Sequence, residues 1–255
     1  MTTDRLSTLA RRQLTDYDAR SPGSLFADGT DSLTVGAAYQ LQIATAGLRT
    51  LRGEAIAGYK IGCVSQAIRK QLGVAHPVFG HVFASEIRPD QAVLESADFC
   101  SLGIEGELAV TLAQDVPDPA ALRDAPERFV RDVFAVIELH NYRFRGPQPW
   151  AAELIANNAL HAGIVAAETK VAARPGMTFE LAVAINGEQQ GVARAEPYAT
   201  LGELAERLAE FSIVPRQGQI LLSGSPLPLY PVNPGDQIRV RCSGVAEVAA
   251  VVATG

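Results

Sequence analysis

The sequence has little of what would place it in several large classes of protein. Its 255 residues include only three cysteines, Cys63, Cys100 and Cys242, whose scattered spacing fits neither a zinc site nor an even set of disulfides. Acidic residues outnumber basic ones 28 to 22, so the chain lacks the basic surplus of a nucleic-acid binder. The longest apolar stretch, residues 245–255, contains Glu247 and is too short to span a bilayer. Without an apolar signal-peptide core at the N-terminus either, we expect a soluble, cytoplasmic protein with no nucleic-acid or membrane partner.

Lysine is scarce as well, because almost all basic residues are arginine and the lysines are Lys60, Lys70 and Lys170. Lys60 stands in the apolar, strand-like run Gly58-Tyr59-Lys60-Ile61-Gly62. One interpretation is a side chain that reaches the surface along its aliphatic stem. The other is a buried ammonium that stabilises a developing enolate or moves a proton.

The chain divides into a helical start and a strand-rich remainder. Apolar residues recur at helical spacing from Leu6 to Tyr17 and over 37–51, with a Gly/Asp/Ser-rich break at 28–32. From residue 55 onward, short runs rich in Val, Ile and Ala are separated by Gly, Pro and Asp, which predicts strands. We expect an α+β protein with a helical segment over 1–54 and a mixed β domain over 55–255.

The strand and helix boundaries can be placed more closely. The predicted strands are 55–64, 103–112, 133–140, 159–166, 179–185, 219–222, 237–242 and 246–252. Asn186-Gly187 predicts a hairpin turn, since both residues accept a positive φ. Helices are expected from a cap at Ser65, over 201–211 and over 123–131, and residues 73–80 are expected to form a loop.

Two glutamates share one face of a predicted strand. In Gly103-Ile104-Glu105-Gly106-Glu107-Leu108, the side chains of Glu105 and Glu107 point the same way because strand side chains alternate. Two like charges on an apolar strand resist burial unless a cation joins them, and Mg²⁺ prefers carboxylate oxygens. An exposed strand face is the commoner setting of Glu-x-Glu, so the pattern leaves both interpretations open.

A third carboxylate, Glu138, ends the apolar run Phe134-Ala135-Val136-Ile137. A buried glutamate needs a cationic partner, either a metal ion or an arginine such as Arg143 or Arg145.

Histidines and a small-residue turn supply further candidates. His140 and His161 lie near the acidic residues in sequence and titrate close to neutrality, so they are candidates for proton transfer. His76 and His81 are interpreted as hydrogen-bonded loop residues. The turn around Ser223 and Ser225 offers backbone N–H groups for a carboxylate, although an ordinary surface turn fits equally well.

Six segments together resemble a known family: 58–65, 72–80, Glu105-x-Glu107, Glu138, 157–159 and 221–236. Their order is similar to that in the 2-keto-4-pentenoate hydratase and 4-oxalocrotonate decarboxylase family, part of the fumarylacetoacetate hydrolase superfamily. The resemblance implies a helical N-terminal segment on a mixed β-roll of the fumarylacetoacetate hydrolase C-terminal type. It also implies Mg²⁺ or Mn²⁺ held by Glu105, Glu107 and Glu138, Lys60 as the active-site lysine and Leu72 as a substrate-binding residue.

The implied activity is that of a metal-dependent lyase on a small 2-oxo acid. Water adds to a 2-hydroxydienoate through a metal-stabilised enolate, with 2-oxo acid decarboxylation as the nearest alternative. C–C hydrolysis of an acylpyruvate is a more distant one, and a non-catalytic partner subunit is the alternative of another class. The resemblance further implies a homo-oligomer that associates with a related pathway enzyme.

Several positions depart from the family pattern. Asn141 and Asn157 stand where the family usually has aspartate, and Val78 replaces the loop acid typical of hydratases. In the same segments, His140 replaces a valine and His161 a serine. Amides cannot act as bases at neutral pH. We therefore predict His161 as the acid/base and the turn with Ser223 and Ser225 as the substrate carboxylate site.

Overall fold

A computed structural model describes residues 1–20, 24–26, 33–141 and 151–254 of the chain. The sequence break at 28–32 and the two arginines considered as partners of Glu138, Arg143 and Arg145, lie outside the described residues. No helix in the described ranges is long and apolar enough to cross a membrane.

Six α-helices and fourteen strands make up the described part of the chain. The helices are α1 (Thr3–Asp18), α2 (Val35–Leu51), α3 (Gln66–Leu72), α4 (Pro119–Asp124), α5 (Ala151–Ala156) and α6 (Leu201–Ala209). The strands are β1 (Ile56–Gly62), β2 (Val78–Phe83), β3 (Ile87–Pro89), β4 (Ala92–Leu94), β5 (Leu102–Leu112), β6 (Val130–Asn141), β7 (His161–Ala166), β8 (Val171–Ala172), β9 (Phe179–Ile185), β10 (Glu188–Ala195), β11 (Ile220–Leu222), β12 (Tyr230–Pro231), β13 (Gln237–Cys242) and β14 (Ala246–Val252). This is the predicted α+β class, with a helical start and a mixed β-roll.

The described strands form two mixed sheets. The larger has nine strands in the order β2-β1-β11-β5-β6-β7-β3, with β12 paired to β5 and β8 paired to β6. The smaller has five strands in the order β10-β9-β13-β14-β4. The long central pair β5 and β6 is antiparallel and remains in register from Leu102 opposite Asn141 to Thr111 opposite Asp132.

The two sheets meet closely at Gly106 on β5. A Cβ atom there would lie 2.7 Å from Val183 Cγ2 on β9 and 3.2 Å from Val240 Cγ1 on β13. Only glycine allows so close an approach of the sheets. Because side chains alternate along a strand, Glu105 and Glu107 project from the opposite face of β5.

The helical start is fixed to the roll by buried hydrogen bonds. Thr2 and Thr34 cap α1 and α2 at their N-termini. Gln42 of α2 donates from Nε2 to the carbonyl oxygens of Phe79 on β2 (3.0 Å) and Ile155 on α5 (2.8 Å). The division of the chain after residue 54 stays a prediction, although α2 ends at Leu51 and β1 begins at Ile56.

Most predicted elements are confirmed, some with shifted ends. The hairpin turn is present between β9 and β10, with Asn186 at φ 55° and Gly187 at φ 80°. Ser65 caps α3 as expected, its hydroxyl accepting from Ile68 N at 3.2 Å. The strand expected from residue 159 begins at His161.

Two predictions were wrong. The expected loop over 73–80 ends early, because residues 78–83 form the fully buried strand β2. The helix expected over 123–131 lies instead at Pro119–Asp124, where Asp118 caps it and proline occupies its first turn. Residues after it form a short 3₁₀ turn and then enter β6 at Val130.

Candidate functional site

The three predicted carboxylates lie together on the central strand pair. Glu105 of β5 is directly opposite Glu138 of β6, and Glu107 follows on the same face of β5. Glu107 is 1% exposed and Glu138 0% exposed. The interpretation of Glu-x-Glu as an exposed strand face therefore does not hold for Glu107.

Lys60 is also buried, at 2% exposure, so it does not reach for the surface. Its Nζ lies 3.2 Å from Glu138 Oε1. His161 approaches the same oxygen from β7, with Nδ1 at 2.7 Å. His140 Nε2 lies 3.1 Å from Glu105 Oε2 and 3.3 Å from Glu138 Oε2. Glu138 is thus the centre of the cluster, and it contacts three other ionisable side chains.

The charges in this cluster determine its protonation. Burial opposes a charged Glu138, but Lys60 and His140 outweigh burial and hold the pKa of this carboxyl well below its usual range. Burial also opposes a charged Lys60, and the carboxylates, Glu138 first, outweigh it and raise the pKa of Lys60. Lys60 and Glu138 therefore form an ion pair inside the protein.

The pKa values of two further members of the cluster, His140 and Glu107, are both raised. Burial lowers the pKa of His140, yet the charges of Glu138 and Glu105 more than reverse this and raise it to about 9. Burial and the neighbouring charges of Glu138 and Glu105 raise the pKa of Glu107 well above its ordinary value. The direction of the Glu107 shift indicates that the carboxylates of the cluster outweigh its positive charge.

The turn after β11 binds a carboxylate, but the carboxylate belongs to the protein. The backbone N–H of Gly224 donates to Glu107 Oε2 at 3.1 Å. The hydroxyl of Ser223 donates to Leu108 O at 2.9 Å, and that of Ser225 donates to Gly106 O at 3.0 Å. The turn thus holds Glu107 through Gly224, and both serine hydroxyls donate to backbone carbonyls of β5.

A cavity of about 490 Å³, called the front cavity here, opens on one side of the cluster. Lys60, Glu105 and His140 supply its charged lining. The rest of its wall is largely apolar and includes Leu72, Val78, Leu154, Ala159, Leu160, Pro226, Leu227, Pro228 and Leu229. The cavity is within the size range of small-molecule sites, and its charged groups are gathered at one place.

Of the remaining predicted site residues, Leu72 and Ser225 line the front cavity and Ser223 does not. His161 lines a separate cavity between α1, α2 and β7, called the rear cavity, together with Gln13, Gln42 and Asn157. His161 therefore contacts Glu138 from the side of the rear cavity, not from the front cavity.

The two amides that replace family aspartates serve as structural hydrogen-bonding groups. Asn141 Oδ1 accepts from the backbone N–H of Cys100 at 2.8 Å. Asn157 Nδ2 donates to Glu153 O at 3.0 Å, and its Oδ1 accepts from Gln13 Nε2 at 2.5 Å. Both amide side chains are therefore engaged in hydrogen bonds within the protein.

A left-handed turn supports the cluster from one side, and its role was not predicted from the sequence. Asn158, Ala159 and Leu160 have φ values of 57°, 51° and 63°, which place Leu160 at the front cavity and His161 at the rear one. The Asn158 side chain binds β2 twice, accepting from His81 N at 2.7 Å and donating to His81 O at 2.8 Å. Asparagine tolerates the left-handed region better than most residues, and that was the available signal.

The donor set fits a divalent cation. Glu105, Glu138 and His140 each offer one ligand atom, and these atoms lie within 4.8 Å of one another. In the described part of the chain, Oε1 of Glu107 is buried without a hydrogen-bond donor, and Oε2 of Glu138 has no closer partner than His140 Nε2 at 3.3 Å. Buried carboxylate oxygens without donors are costly, and coordination of a metal ion removes that cost.

Comparison with known proteins agrees with this architecture. The fumarylacetoacetate (FAA) hydrolase C-terminal family matches residues 66–253. The chain is 28% identical over 220 residues to a 2-keto-4-pentenoate hydratase of Paraburkholderia phymatum, covering 84% of each protein. It is 25% identical over 225 residues to a 4-oxalocrotonate decarboxylase of Pseudomonas sp. strain CF600, covering 86% of this chain and 85% of the relative.

A solved structure shows the same fold. The 4-oxalocrotonate decarboxylase from Pseudomonas putida G7, complexed with magnesium and adipate, matches with a TM-score of 0.91 at 23% identity, covering 99% of this chain and 98% of that one. The helical start on a two-sheet roll is therefore the fold of this class of protein. The chain belongs to the fumarylacetoacetate hydrolase family, in which its relatives are named hydratases and decarboxylases.

Proposed function

We propose that the protein is a metal-dependent hydro-lyase, similar to 2-keto-4-pentenoate hydratase, that adds water to a small 2-hydroxydienoate or 2-oxo-enoate. The observation that carries this proposal is the buried Lys60–Glu138 ion pair beside Glu105 and Glu107, next to an apolar cavity of about 490 Å³. A small acid with a hydrocarbon tail matches such a lining, since its polar end meets the charges and its tail meets leucines.

The proposed cofactor is Mg²⁺ or Mn²⁺, with Glu105, Glu107 and Glu138 as its ligands. A bound divalent ion supplies Lewis acidity at the 2-oxo and carboxylate oxygens of the substrate. Glu107 is suited to this role because its Oε2 is fixed by the Gly224 N–H while its Oε1 has no donor among the described residues. The cluster's shortage of positive charge supports the same assignment.

Lys60 is the proposed catalytic residue at the front cavity. Its ammonium group is held 3.2 Å from Glu138 Oε1 and remains charged, so it can stabilise negative charge that develops on a substrate oxygen. It can also deliver a proton to the carbon chain, because lysine carries three donors on a flexible stem. Burial keeps water from weakening either interaction.

Leu72 and Ser225 are the proposed substrate-binding residues that line the front cavity, with Ser223 holding the turn behind them. Leu72 ends α3 beside the cavity and offers an apolar contact to the hydrocarbon tail. The hydroxyl of Ser225 already donates to Gly106 O. We therefore expect a backbone N–H group of the turn, and not this hydroxyl, to bind the substrate carboxylate.

His161 remains the proposed acid/base on the strength of its contact with Glu138, 2.7 Å from Nδ1 to Oε1. Since it lines the rear cavity, its action on the substrate is expected to pass through Glu138. A homo-oligomer, association with a related pathway enzyme and a cytoplasmic location also stay predictions.

Product analysis tests this function. Metal-loaded protein is given freshly generated 2-hydroxypenta-2,4-dienoate or 4-oxalocrotonate in separate reactions, and products are identified by proton NMR. Hydration predicts 4-hydroxy-2-oxopentanoate from the first substrate, with one water consumed and no CO₂ released. Release of CO₂ from 4-oxalocrotonate without hydration of the dienoate would assign a decarboxylase instead. No turnover of either substrate by metal-loaded protein would favour the non-catalytic partner subunit.

A further inference from the structure

His140 lies inside the carboxylate cluster. On β6 it shares a face with Glu138, two residues away, and its partner across the strand pair is Gly103 of β5, which leaves room for the imidazole ring. The side chain is buried, at 4% exposure for the residue. Its ring therefore points at the same space as the carboxylates.

The spacing of the donor atoms is that of neighbouring ligands around one ion. His140 Nε2 lies 3.1 Å from Glu105 Oε2 and 3.3 Å from Glu138 Oε2. Two ligands at right angles on an octahedral ion with bonds near 2.1 Å are separated by about 3 Å. The ligand atoms of all three residues lie within 4.8 Å of one another, close enough to share one ion.

A second observation points to a ligand at this place. Within the described ranges, Oε1 of Glu107 is buried without a hydrogen-bond donor, and Oε2 of Glu138 is buried with no partner beyond the 3.3 Å contact to His140 Nε2. Both residues are at least nine-tenths buried, where a polar atom without a partner is costly. The site therefore offers open carboxylate oxygens together with one imidazole nitrogen.

We propose that His140 binds the metal ion through Nε2, with Glu105 and Glu138, and that the site consequently prefers a first-row transition ion such as Mn²⁺ over Mg²⁺. Mg²⁺ is a hard cation that prefers oxygen ligands, whereas an imidazole nitrogen favours first-row transition ions. The inference rests on the metal centre of the proposed function but not on hydration itself. Glu107 remains a proposed ligand through its open Oε1.

The test replaces His140 with valine, the residue that the family pattern usually has at this position. Metal-stripped wild type and His140→Val are dialysed against equal concentrations of Mn²⁺ and Mg²⁺, and bound metal is measured by mass spectrometry. The exposed His76 provides the control variant His76→Val. Because an imidazole ligand favours Mn²⁺ over Mg²⁺, and loss of even an outer-shell partner costs about 10–100-fold in affinity, His140→Val should weaken Mn²⁺ binding more and lower the Mn²⁺/Mg²⁺ ratio about tenfold.

A spectroscopic measurement identifies the ligand directly. Pulsed electron paramagnetic resonance of Mn²⁺-loaded protein with ¹⁵N-labelled histidine should show nitrogen coupling in wild type and in His76→Val, and should lose it in His140→Val. His140→Gln serves as a second variant if the valine substitution does not fold. Absence of nitrogen coupling in Mn²⁺-loaded wild type, or an unchanged metal preference in a folded His140 variant, would overturn the proposal. Neither readout depends on turnover, so failure here is distinct from failure of the hydratase function.

Discussion

Glu105 and Glu138 face each other across β5 and β6 in the interior of the protein. Two opposed carboxylates destabilise a strand pair unless positive charge joins them. Here Lys60 contacts Glu138 and His140 contacts both glutamates, so neighbouring donors offset the opposed carboxylates. This arrangement ties the stability of the central sheet to the proposed chemistry.

Replacing Lys60 tests whether one residue supports both the stability of the central sheet and the proposed chemistry. Lys60→Met removes the ammonium but keeps most of the apolar stem, leaving Glu138 buried beside fewer charges. We expect kcat for dienoate hydration to fall by about 10²–10⁴. The free energy of unfolding should also fall, by about 3 kcal/mol, because one partner of a buried ion pair is lost.

The matched control is Lys70→Met, since Lys70 lies exposed on α3. It should leave kcat and the urea unfolding midpoint near the wild-type values. Equal effects of the two substitutions would contradict a special role for Lys60.

The pH dependence of stability should report on His81 of β2. Burial, with the charge of Arg49 nearby, lowers the pKa of His81 to about 4, below the value of about 6.5 in the unfolded chain. Between these values the unfolded state takes up a proton that the folded state does not. This contribution is therefore intact above pH of about 6.5 and is lost as the pH falls, by roughly 3 kcal/mol in total.

The variant His81→Phe keeps an aromatic ring among Tyr59, Phe79 and Phe83 while removing the titration. Urea unfolding near pH 7.5 and near pH 5 should show about 2 kcal/mol less acid destabilisation in this variant than in wild type. Parallel pH profiles for the two proteins would show that His81 does not titrate as the structure predicts.

Packing between the two sheets should be most sensitive at Gly106. Gly106→Ala places a methyl group 2.7 Å from Val183 Cγ2, so we expect a loss of about 1–3 kcal/mol in the free energy of unfolding. Gly47, on α2, has open space around it, and Gly47→Ala should gain about 0.5–1 kcal/mol. Thermal unfolding of both variants checks the contrast, and a stabilising Gly106→Ala would refute the close approach.

Asn158 is expected to hold β2 against the left-handed turn. Asn158→Ala removes two hydrogen bonds to the His81 backbone and should cost about 1–3 kcal/mol. Asn158→Asp retains the acceptor for the His81 N–H and should cost less. Amide hydrogen exchange at His81 gives a local readout, since it should accelerate strongly in the alanine variant. Unchanged exchange there would mean that the side chain does not hold the strand.

The parts of the fold that sequence periodicity could predict are those with local signals. The strands Phe179–Ile185, Gln237–Cys242 and Ala246–Val252 are bounded by turn residues, and their predicted ends are confirmed. By contrast, β2 contains Gly80 and His81 and follows Pro77, a composition typical of loops. Its strand geometry depends on pairing with β1 and on Asn158, which are distant in sequence. The exposed strand β10 was not predicted either, because its mostly polar sequence shows little alternation of polar and apolar residues.

The sequence indicated which residues could form the candidate site, but it did not indicate how their side chains contact one another. Strand alternation placed Glu105 and Glu107 on one face, and the apolar run before Glu138 indicated its burial. The position of His140 between the carboxylates depends on the register of β5 and β6, which no local pattern fixes. The placement of His161 at the rear cavity depends on the left-handed turn before it.

The central claim is that this carboxylate cluster supports metal-dependent hydration. The most direct measurement follows the ultraviolet absorbance of 2-hydroxypenta-2,4-dienoate while Mn²⁺ or Mg²⁺ is titrated into chelator-treated protein, for wild type and Glu138→Gln. We expect no turnover without metal, a rise to saturation at one ion per chain, and no recovery in Glu138→Gln. Full turnover in the presence of chelator, or a Glu138→Gln variant as active as wild type, would contradict the account.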